Sequence, residues 1–271
     1  MRTFSSTADL KKEIKRTDQV CESCGENKVT AFGADPVCYS CQKQKIEESN
    51  QKRIKDSMDK HEKRNTYDWL DKRSVLSDKS IQQADFNIFK CNNLEEEQNK
   101  RKALNIASQY IEGNNFNTIL TGKAGTGKTH LAMSILKEVN EQSKPYKKCL
   151  FVSVDELMRL IRESYGSNSD DFTEQRLIDI SIQADLLVLD DLGAETGNIN
   201  AQKSASDFVV RTLYAIMNGR IDKPTIFTTN LTGKQLYQLY DEKLVSRIAK
   251  GSKENTINFK QSTDKRINLE F

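Results

Sequence analysis

The chain has 271 residues, of which 36% are hydrophobic and 30% charged, and a net charge of only +3, so its charge alone does not indicate a nucleic-acid-binding protein. Glycine and proline together number fifteen, which favours a helix-rich globular chain over a disordered or low-complexity one. No apolar run approaches the roughly 18 to 20 residues that span a bilayer, and residues 1–10 lack a signal peptide's apolar stretch. We therefore expect a cytoplasmic protein without membrane contacts.

Two Cys-x-x-Cys pairs lie near the start of the chain, and thirteen residues separate them. In a reducing compartment such pairs are more often metal ligands than disulfides. Four thiolates at this spacing suit tetrahedral Zn2+ in a closed structural site. A redox dithiol is the alternative, although neither pair opens a βαβ unit. The predicted zinc ligands are Cys21, Cys24, Cys38 and Cys41, with His61 as a further candidate, whereas Cys91 and Cys149 lack partners in the pattern.

A strongly charged segment follows over residues 42–64, with eight basic and five acidic side chains. Its apolar residues are Ile46, Ile54 and Met58, too few for a buried face. A solvated helical connector is the first interpretation, and an arm that contacts DNA or a partner is the alternative. We therefore divide the chain into a zinc-binding module over residues 1–45, a charged helical linker over 46–73 and a main domain over 74–271.

Large apolar side chains return after the linker and predict an entry segment that packs on the main domain: Tyr67, Trp69, Leu70, Ile81, Phe86, Ile88 and Phe89. A helical pattern then ends near Gly113. Strand-length apolar runs occupy residues 118–121, 149–154, 186–189 and 225–229, and helical patterns occupy residues 129–139, 155–163 and about 203–217. This alternation predicts an α/β fold, with a parallel sheet covered by helices on both faces.

A glycine-rich loop follows the first of these strands and directly precedes a helix, which is the sequence context of a phosphate-binding P-loop. Glycines let successive N–H groups and the helix N-terminus face phosphates. The lysine would reach the β- and γ-phosphates of ATP, and the threonine hydroxyl would bind Mg2+. The predicted ATP-binding residues are Gly122, Lys123, Ala124, Gly125, Thr126, Gly127, Lys128, Thr129 and His130.

Acidic and amide groups follow two other strands. Asp190 and Asp191 end a buried apolar strand in a Walker B pattern, so Asp190 is the predicted Mg2+ ligand and Asp191 would orient the attacking water. Asn230 follows the strand over 225–229 and is either the start of a turn or a sensor of the γ-phosphate. In ATPases with this sensor, its strand lies between the P-loop and Walker B strands. Arg247, near the end of two short helical patterns over 236–249, is either a surface residue or an arginine finger acting on a neighbouring subunit.

These motifs together resemble the DnaC/DnaI/IstB group of AAA+ ATPases over roughly residues 80–271. The similar segments are GKAGTGKTHLA, LVLDDLGAE, PTIFTTNL and LVSRI. The resemblance implies a P-loop AAA+ domain with a five-stranded parallel sheet and a small helical lid. It implies Walker A roles for Lys128 and Thr129, Walker B roles for Asp190 and Asp191, sensor one for Asn230 and the finger for Arg247. Arg266 lies where the family often has a second sensor, although the local sequence differs.

The resemblance also implies a function. DnaC/DnaI members load a hexameric replicative helicase onto single-stranded DNA, and a DnaI-like zinc domain engages the helicase or restrains the ATPase domain. We therefore expect an ATPase that self-associates and binds the helicase and single-stranded DNA, with DNA contacts from Arg159 or Arg162 in the segment 155–180 as one option. The alternatives are an IstB-like transposase helper, although such proteins commonly lack a zinc module, and a zinc-ribbon DNA-binding regulator that does not hydrolyse ATP.

Overall fold

The computed structural model describes residues 14–165, 173–196 and 205–265, and the chain divides into two compact units, Met1–His61 and Glu62–Phe271. The first unit contains an antiparallel hairpin of β1 (Ile14–Val20) and β2 (Asn27–Ala31). The helix α1 (Tyr39–Asn65) begins in this unit and ends in the second. None of the α1 residues, all of which the structure describes, is buried, as expected from their composition.

The second unit is built on a parallel sheet of five strands within the described residues. The strands are β3 (Thr118–Gly122), β4 (Cys149–Ser153), β5 (Leu186–Leu192), β6 (Thr225–Thr229) and β7 (Thr256–Phe259). Their order is β4-β5-β6-β3-β7, and every pair is parallel. The strand before Asn230 therefore lies between the P-loop strand and the Walker B strand, which confirms the predicted arrangement. The edge strand β7 was not located from the sequence.

Helices cover both faces of this sheet. They are α2 (Trp69–Arg73), α3 (Leu94–Ile111), α4 (Lys128–Gln142), α5 (Val154–Ser164), α6 (Glu174–Gln183), α7 (Asp207–Gly219), α8 (Gly233–Leu239) and α9 (Glu242–Ile248). Alternate β5 residues contribute to two separate cores, since successive side chains of a strand point to opposite faces. Leu187 and Leu189 pack with α5 to α9, and Leu186 and Val188 pack with α3 and α4. Burial on both faces explains the uninterrupted apolar run in the sequence.

The entry segment packs on the second unit largely as predicted, with Trp69, Leu70, Phe86 and Phe89 buried. Ile88 differs, since 53% of it is exposed. The helix expected from about residue 203 begins only at Asp207, because the Ser206 hydroxyl caps it by accepting from the N–H of Val209. In the part of the chain that the structure describes, no helix has the length and apolarity needed to cross a membrane.

Candidate functional site

The glycine-rich loop joins β3 to α4 at the carboxyl edge of the sheet. Gly125 and Gly127 have positive φ angles of 73° and 98°, a conformation that residues with a Cβ atom rarely adopt. Gly127 is the residue before the first helical position, so the free N–H groups of α4 begin at the loop. The loop therefore combines a helix N-terminus with a curled backbone, the two features that bind phosphate.

Lys128 is the central cation of this loop and is only 6% exposed. Its Nζ donates hydrogen bonds to the carbonyl oxygens of Gly122 (2.9 Å) and Lys123 (2.7 Å) and to Oδ1 of Asn230 (2.7 Å). These three acceptors match the three donors of an ammonium group. The ammonium is thus fixed at the mouth of the loop, with the amide of Asn230 directly beside it.

Asp190 lies at the end of β5, and Thr228 of the neighbouring strand holds it. The Thr228 hydroxyl donates to Oδ1 of Asp190 at 2.6 Å and accepts from the backbone N–H of Asp191 at 2.8 Å. Burial raises the pKa of Asp190 to about 6, against the opposing effect of hydroxyl hydrogen bonds from Thr228 and Thr129. The carboxylate of Asp190 and the hydroxyl of Thr129 are therefore neighbours. They are hard oxygen donors of the kind that Mg2+ prefers, so these residues fit the predicted metal site.

Asp191 has an unusual backbone conformation for a non-glycine residue, with φ of 57°. The register of β5 with β6 shifts between Leu189 and Leu192, so Asp191 lies in an irregularity of the strand. Its Oδ1 accepts a hydrogen bond from Nδ2 of Asn230 at 3.1 Å. Asn230 therefore joins the P-loop lysine on one side to the second Walker B aspartate on the other.

A cavity of about 510 Å³ opens over these groups. Its lining includes the predicted Gly125, Gly127, Lys128, Thr129, His130, Asp190, Asp191 and Asn230. It also includes residues that the sequence did not single out for the site, among them Ser77, Ile81, Ile88, Phe89, Ser153 and Lys265. The loop before α3 thus provides an apolar wall beside the phosphate-binding loop. Nε2 of His130 lies 2.9 Å from the carbonyl oxygen of Asp85, so His130 fastens this wall to α4.

The segment after β7 also contacts the P-loop. The backbone N–H of Lys265 donates to the carbonyl of Gly125 at 3.0 Å, and its Nζ pairs with the buried Glu96 at 2.9 Å. Glu95 accepts from the N–H groups of residues 260–262. The two acidic residues at the start of α3 therefore hold this segment against the nucleotide cavity. Arg266, the candidate second sensor, lies outside the described residues.

Arg247 lies at the opposite end of β3 from the P-loop. Its backbone carbonyl accepts from Nδ2 of Asn117, the residue immediately before β3, at 2.8 Å. Since five strand residues span about 16 Å, Arg247 is remote from the phosphates that its own P-loop would bind. Its guanidinium stacks on Tyr214, 4.4 Å from the ring centroid, and Nη2 donates to Oδ1 of Asn218 at 3.1 Å. Arg247 therefore does not reach the P-loop of its own chain.

The two arginines considered for DNA contact differ in their surroundings. Arg159 donates to the carboxylates of both Glu156 and Glu163, with N–O distances of 2.5 to 2.7 Å. Arg162 lies over the ring of Phe208, 5.6 Å from its centroid. Both side chains are on the exposed face of α5. The paired carboxylates neutralise Arg159, so Arg162 is the better placed of the two to bind a phosphate.

The four cysteines of the first unit form one cluster, with all sulfur atoms within 4.8 Å of one another. The Sγ atoms of Cys24 and Cys38 are 3.3 Å apart, and those of Cys21 and Cys41 are 3.7 Å apart. Four sulfurs bound at 2.3 Å to a tetrahedral metal would lie about 3.8 Å from one another, so the cluster fits Zn2+. Backbone N–H groups of Ser23 and Cys24 lower the pKa of Cys21 to about 6, whereas hydrogen bonds with the other three cysteines raise the pKa of Cys41. Among the described residues, His61 is not part of this cluster.

Comparison with known proteins agrees with this geometry. Residues 41–249 match the family model of the IstB-like ATP binding protein. The chain is 31% identical over 153 residues to the replicative helicase loader DnaC of Escherichia coli strain K12, covering 55% of the chain and 58% of that protein. It is 29% identical over 160 residues to the DnaC of Buchnera aphidicola subsp. Acyrthosiphon pisum, covering 58% and 61%. The chain thus spans less than two thirds of the length of these relatives.

Two solved structures share the fold. The crystal structure of the DnaC helicase loader superposes with a TM-score of 0.52 at 22% identity, covering 68% of this chain and all of that one. The DnaI structure gives a TM-score of 0.51 at 23% identity, covering 69% and 96%. The second unit therefore has the P-loop AAA+ fold that the motifs predicted. Because the family match extends over more than half of the chain and includes the P-loop, the Walker B strand and Asn230, the chain belongs to the family of IstB-like ATP-binding proteins.

Proposed function

We propose that the chain is an ATPase that loads a hexameric replicative DNA helicase onto single-stranded DNA. The observation that carries the ATPase part is the position of Asn230, whose amide contacts both Lys128 and Asp191. A polar group between the phosphate-binding cation and the carboxylate that orients water is suited to respond to the γ-phosphate. The loader part is supported by the similarity to proteins named as replicative helicase loaders.

Each residue of the site has a proposed role in hydrolysis. Lys128 binds the β- and γ-phosphates, and Asp191 orients the water that attacks the γ-phosphate. Thr129 and Asp190 would hold Mg2+, which would neutralise charge on the phosphate oxygens. Asn230 holds Lys128 and Asp191 at a fixed separation, so the cation and the carboxylate act on the same phosphate. The apolar wall with Phe89 packs against Gly127 and lines the cavity beside the P-loop.

ATP turnover by the full chain tests the hydrolytic part. We expect Lys128→Ala to lower kcat by at least about a hundredfold, because the buried ammonium is the main cation of the phosphate site. Lys234→Ala is the matched control, since Lys234 is an exposed lysine on α8. Equal turnover in the two variants would show that this cavity is not the site of hydrolysis.

We also propose that Arg247 completes the site of a neighbouring subunit, because it is remote from its own P-loop. Turnover per chain should then rise with protein concentration, and Arg247→Ala should abolish that rise. Arg211→Ala removes an exposed arginine from the adjacent helix α7 and serves as control. Turnover that is independent of concentration would contradict a shared site.

Partner binding tests the loader part. The replicative helicase of the same genome should be retained by the immobilised full chain, through a zinc-bound Cys21–Cys41 module. Residues 62–271 alone, the second unit, should lose this binding, and if both forms retain the helicase the docking surface lies on that unit. Retention by neither would refute the loader proposal. On closed circular single-stranded DNA that carries an annealed oligonucleotide, release of the oligonucleotide by the helicase should require both this chain and ATP.

An IstB-like role in transposition is the second candidate, and the family description itself favours it. The family match begins at residue 41, so three of the four clustered cysteines lie outside it. The two functions are distinguished by the partner. A transposase helper should bind duplex DNA and stimulate a transposase, without effect on helicase loading.

A further inference from the structure

Glu195 lies on the short turn Ala194–Thr196 that directly follows the Walker B strand, and its carboxylate has two partners. One oxygen, Oε2, accepts from the backbone N–H of Gly193 at 2.8 Å. The other, Oε1, accepts from the hydroxyl of Tyr240. Tyr240 is 4% exposed and occupies the junction between α8 and α9. A single carboxylate thus connects the end of the Walker B strand to this helical junction.

The backbone before Glu195 includes one conformation that is unfavourable by itself. Asp191 adopts a left-handed φ of 57°, whereas the φ of 105° at Gly193 is one that glycine adopts without steric cost. An unfavourable conformation persists where the surrounding structure fixes it from several sides. From the side of β6, Thr228 accepts from the N–H of Asp191 at 2.8 Å, and the Thr229 hydroxyl donates to the carbonyl of Leu192 at 2.7 Å.

From the other side, the turn is fixed by Glu195 and by close packing. A Cβ atom at Gly193 would lie 2.6 Å from Cδ1 of Leu231, so the backbone of the turn is pressed against the segment after β6. Burial raises the pKa of Glu195, and the hydrogen bonds from Tyr240 and Gly193 oppose that rise. Glu195 is half-buried and Tyr240 is buried, so breaking their hydrogen bond would leave the buried Tyr240 hydroxyl without this partner.

We propose that Glu195 is a positioning residue for ATP hydrolysis: it holds the turn that aims Asp191 and ties that turn to the α8–α9 junction through Tyr240. The inference rests on the proposed ATPase function. Helix α9 begins after the cap residue Asp241, which accepts from the N–H of Leu244 at 2.6 Å. The hydrogen bond between Glu195 and Tyr240 therefore also fixes the start of the helix that carries Arg247. It links the turn at Asp191 in one subunit to the arginine proposed to act on the neighbouring subunit.

The test uses three variants of the full chain. Glu195→Ala removes both hydrogen bonds, and Tyr240→Phe removes only the bond to the junction. Glu195→Gln retains both, because its amide oxygen accepts from Gly193 and its NH2 group donates to the Tyr240 oxygen. Glu242→Ala, an exposed glutamate at the start of α9, is the matched control. For each variant we would measure kcat for ATP, the Kd of a fluorescent ATP analogue and the urea unfolding midpoint from the fluorescence of Trp69.

We expect Glu195→Ala to lower kcat by about tenfold or more while the Kd of the analogue changes less than about twofold, because Asp191 acts on the attacking water and not on binding. Glu195→Gln should recover most of the rate, and Tyr240→Phe should fall between the wild type and Glu195→Ala. The rescue and the separation of kcat from Kd would not follow from a merely structural role.

Three outcomes would overturn the inference. The first is an unchanged kcat in Glu195→Ala while the wild type hydrolyses ATP, which leaves the proposed ATPase function intact. The second is a parallel loss of kcat and analogue binding. The third applies if Glu195→Ala fails to fold. Tyr240→Phe then decides, since its ring keeps the packing, and an unchanged kcat in that variant would overturn the inference. Absence of turnover in the wild type would instead refute the proposed function, and the inference with it.

Discussion

Thr228 provides the most direct test of how Asp190 and Asp191 are held at the carboxyl edge of the sheet. Its hydroxyl is buried, with 1% of the residue exposed, and it serves two groups at once. It donates to the carboxylate of Asp190 and accepts from the N–H of Asp191. Thr228→Val keeps the shape of the side chain and removes both hydrogen bonds. The variant therefore leaves a buried carboxylate oxygen and a buried N–H without this partner.

Each orphaned group costs about 1 to 3 kcal/mol, and a charged acceptor lies at the upper end of that range. We therefore expect Thr228→Val to lose about 4 kcal/mol in the free energy of unfolding, about 3 from the carboxylate and about 1 from the N–H, and to lose ATP turnover as the turn at Asp191 shifts. Thr228→Ser keeps the hydroxyl and removes one methyl group, so its loss should be about 1 kcal/mol. Urea unfolding followed by Trp69, the single tryptophan and a buried residue of the second unit, measures both values.

Thr212→Val is the matched control, because Thr212 is equally buried but its hydroxyl only donates to the helical carbonyl of Phe208. Its loss should stay below about 1 kcal/mol, since such a bond adds little to a helix. If Thr228→Val and Thr212→Val unfold at the same urea concentration, the Thr228 hydroxyl does not hold the two aspartates and the reasoning is wrong.

Two further predictions concern the P-loop and the cysteine cluster. Gly125→Ala should weaken binding of a fluorescent ATP analogue, because φ is 73° and the new Cβ would lie 1.7 Å from Oδ1 of Asp264. Adding Asp264→Ala should restore only part of the affinity, since the backbone strain remains; full recovery would contradict that reason. Elemental analysis should find one zinc per chain in the wild type and in Cys91→Ser, and none in Cys24→Ser. The unfolding midpoint measured from Trp69 should be the same in Cys24→Ser as in the wild type. Equal zinc content in both variants would exclude the cluster as the site.

The sequence alone placed the glycine-rich loop between a strand and a helix, and the structure has it there. Phosphate binding by a P-loop uses consecutive backbone groups, so the spacing of Gly122, Lys128 and Thr129 is sufficient to recognise it. The buried strand before Asp190 was equally clear, because a strand covered on both faces is an unbroken apolar run. The sheet order around Asn230 was predicted from the strand arrangement of ATPases with this sensor and is confirmed. The cysteine spacing likewise predicted a cluster, and the four sulfurs do lie together.

Contacts between distant segments were decided only by the tertiary structure. Asn230 meets Lys128 across 102 residues, and the hydroxyl of Thr228 meets Asp190 across 38. The sequence showed Thr228 only as a strand residue, since β-branched residues are common in strands for packing reasons alone. Lys265 reaches Gly125 because β7 pairs with β3 at the sheet edge, a pairing that no local periodicity encodes.

For Arg247, too, the sequence predicted one part and the tertiary structure decided the other. Its residue type and place in a short helix suggested a finger, but only the hydrogen bond from Asn117 to its backbone places it at the edge of the sheet away from its own P-loop. Composition and periodicity determine which residues form helices and strands, because those depend on near neighbours and on which face is buried. The packing of the whole unit determines the register of the strands and the end of the sheet at which side chains meet. Register and sheet end in turn determine which groups surround the nucleotide cavity.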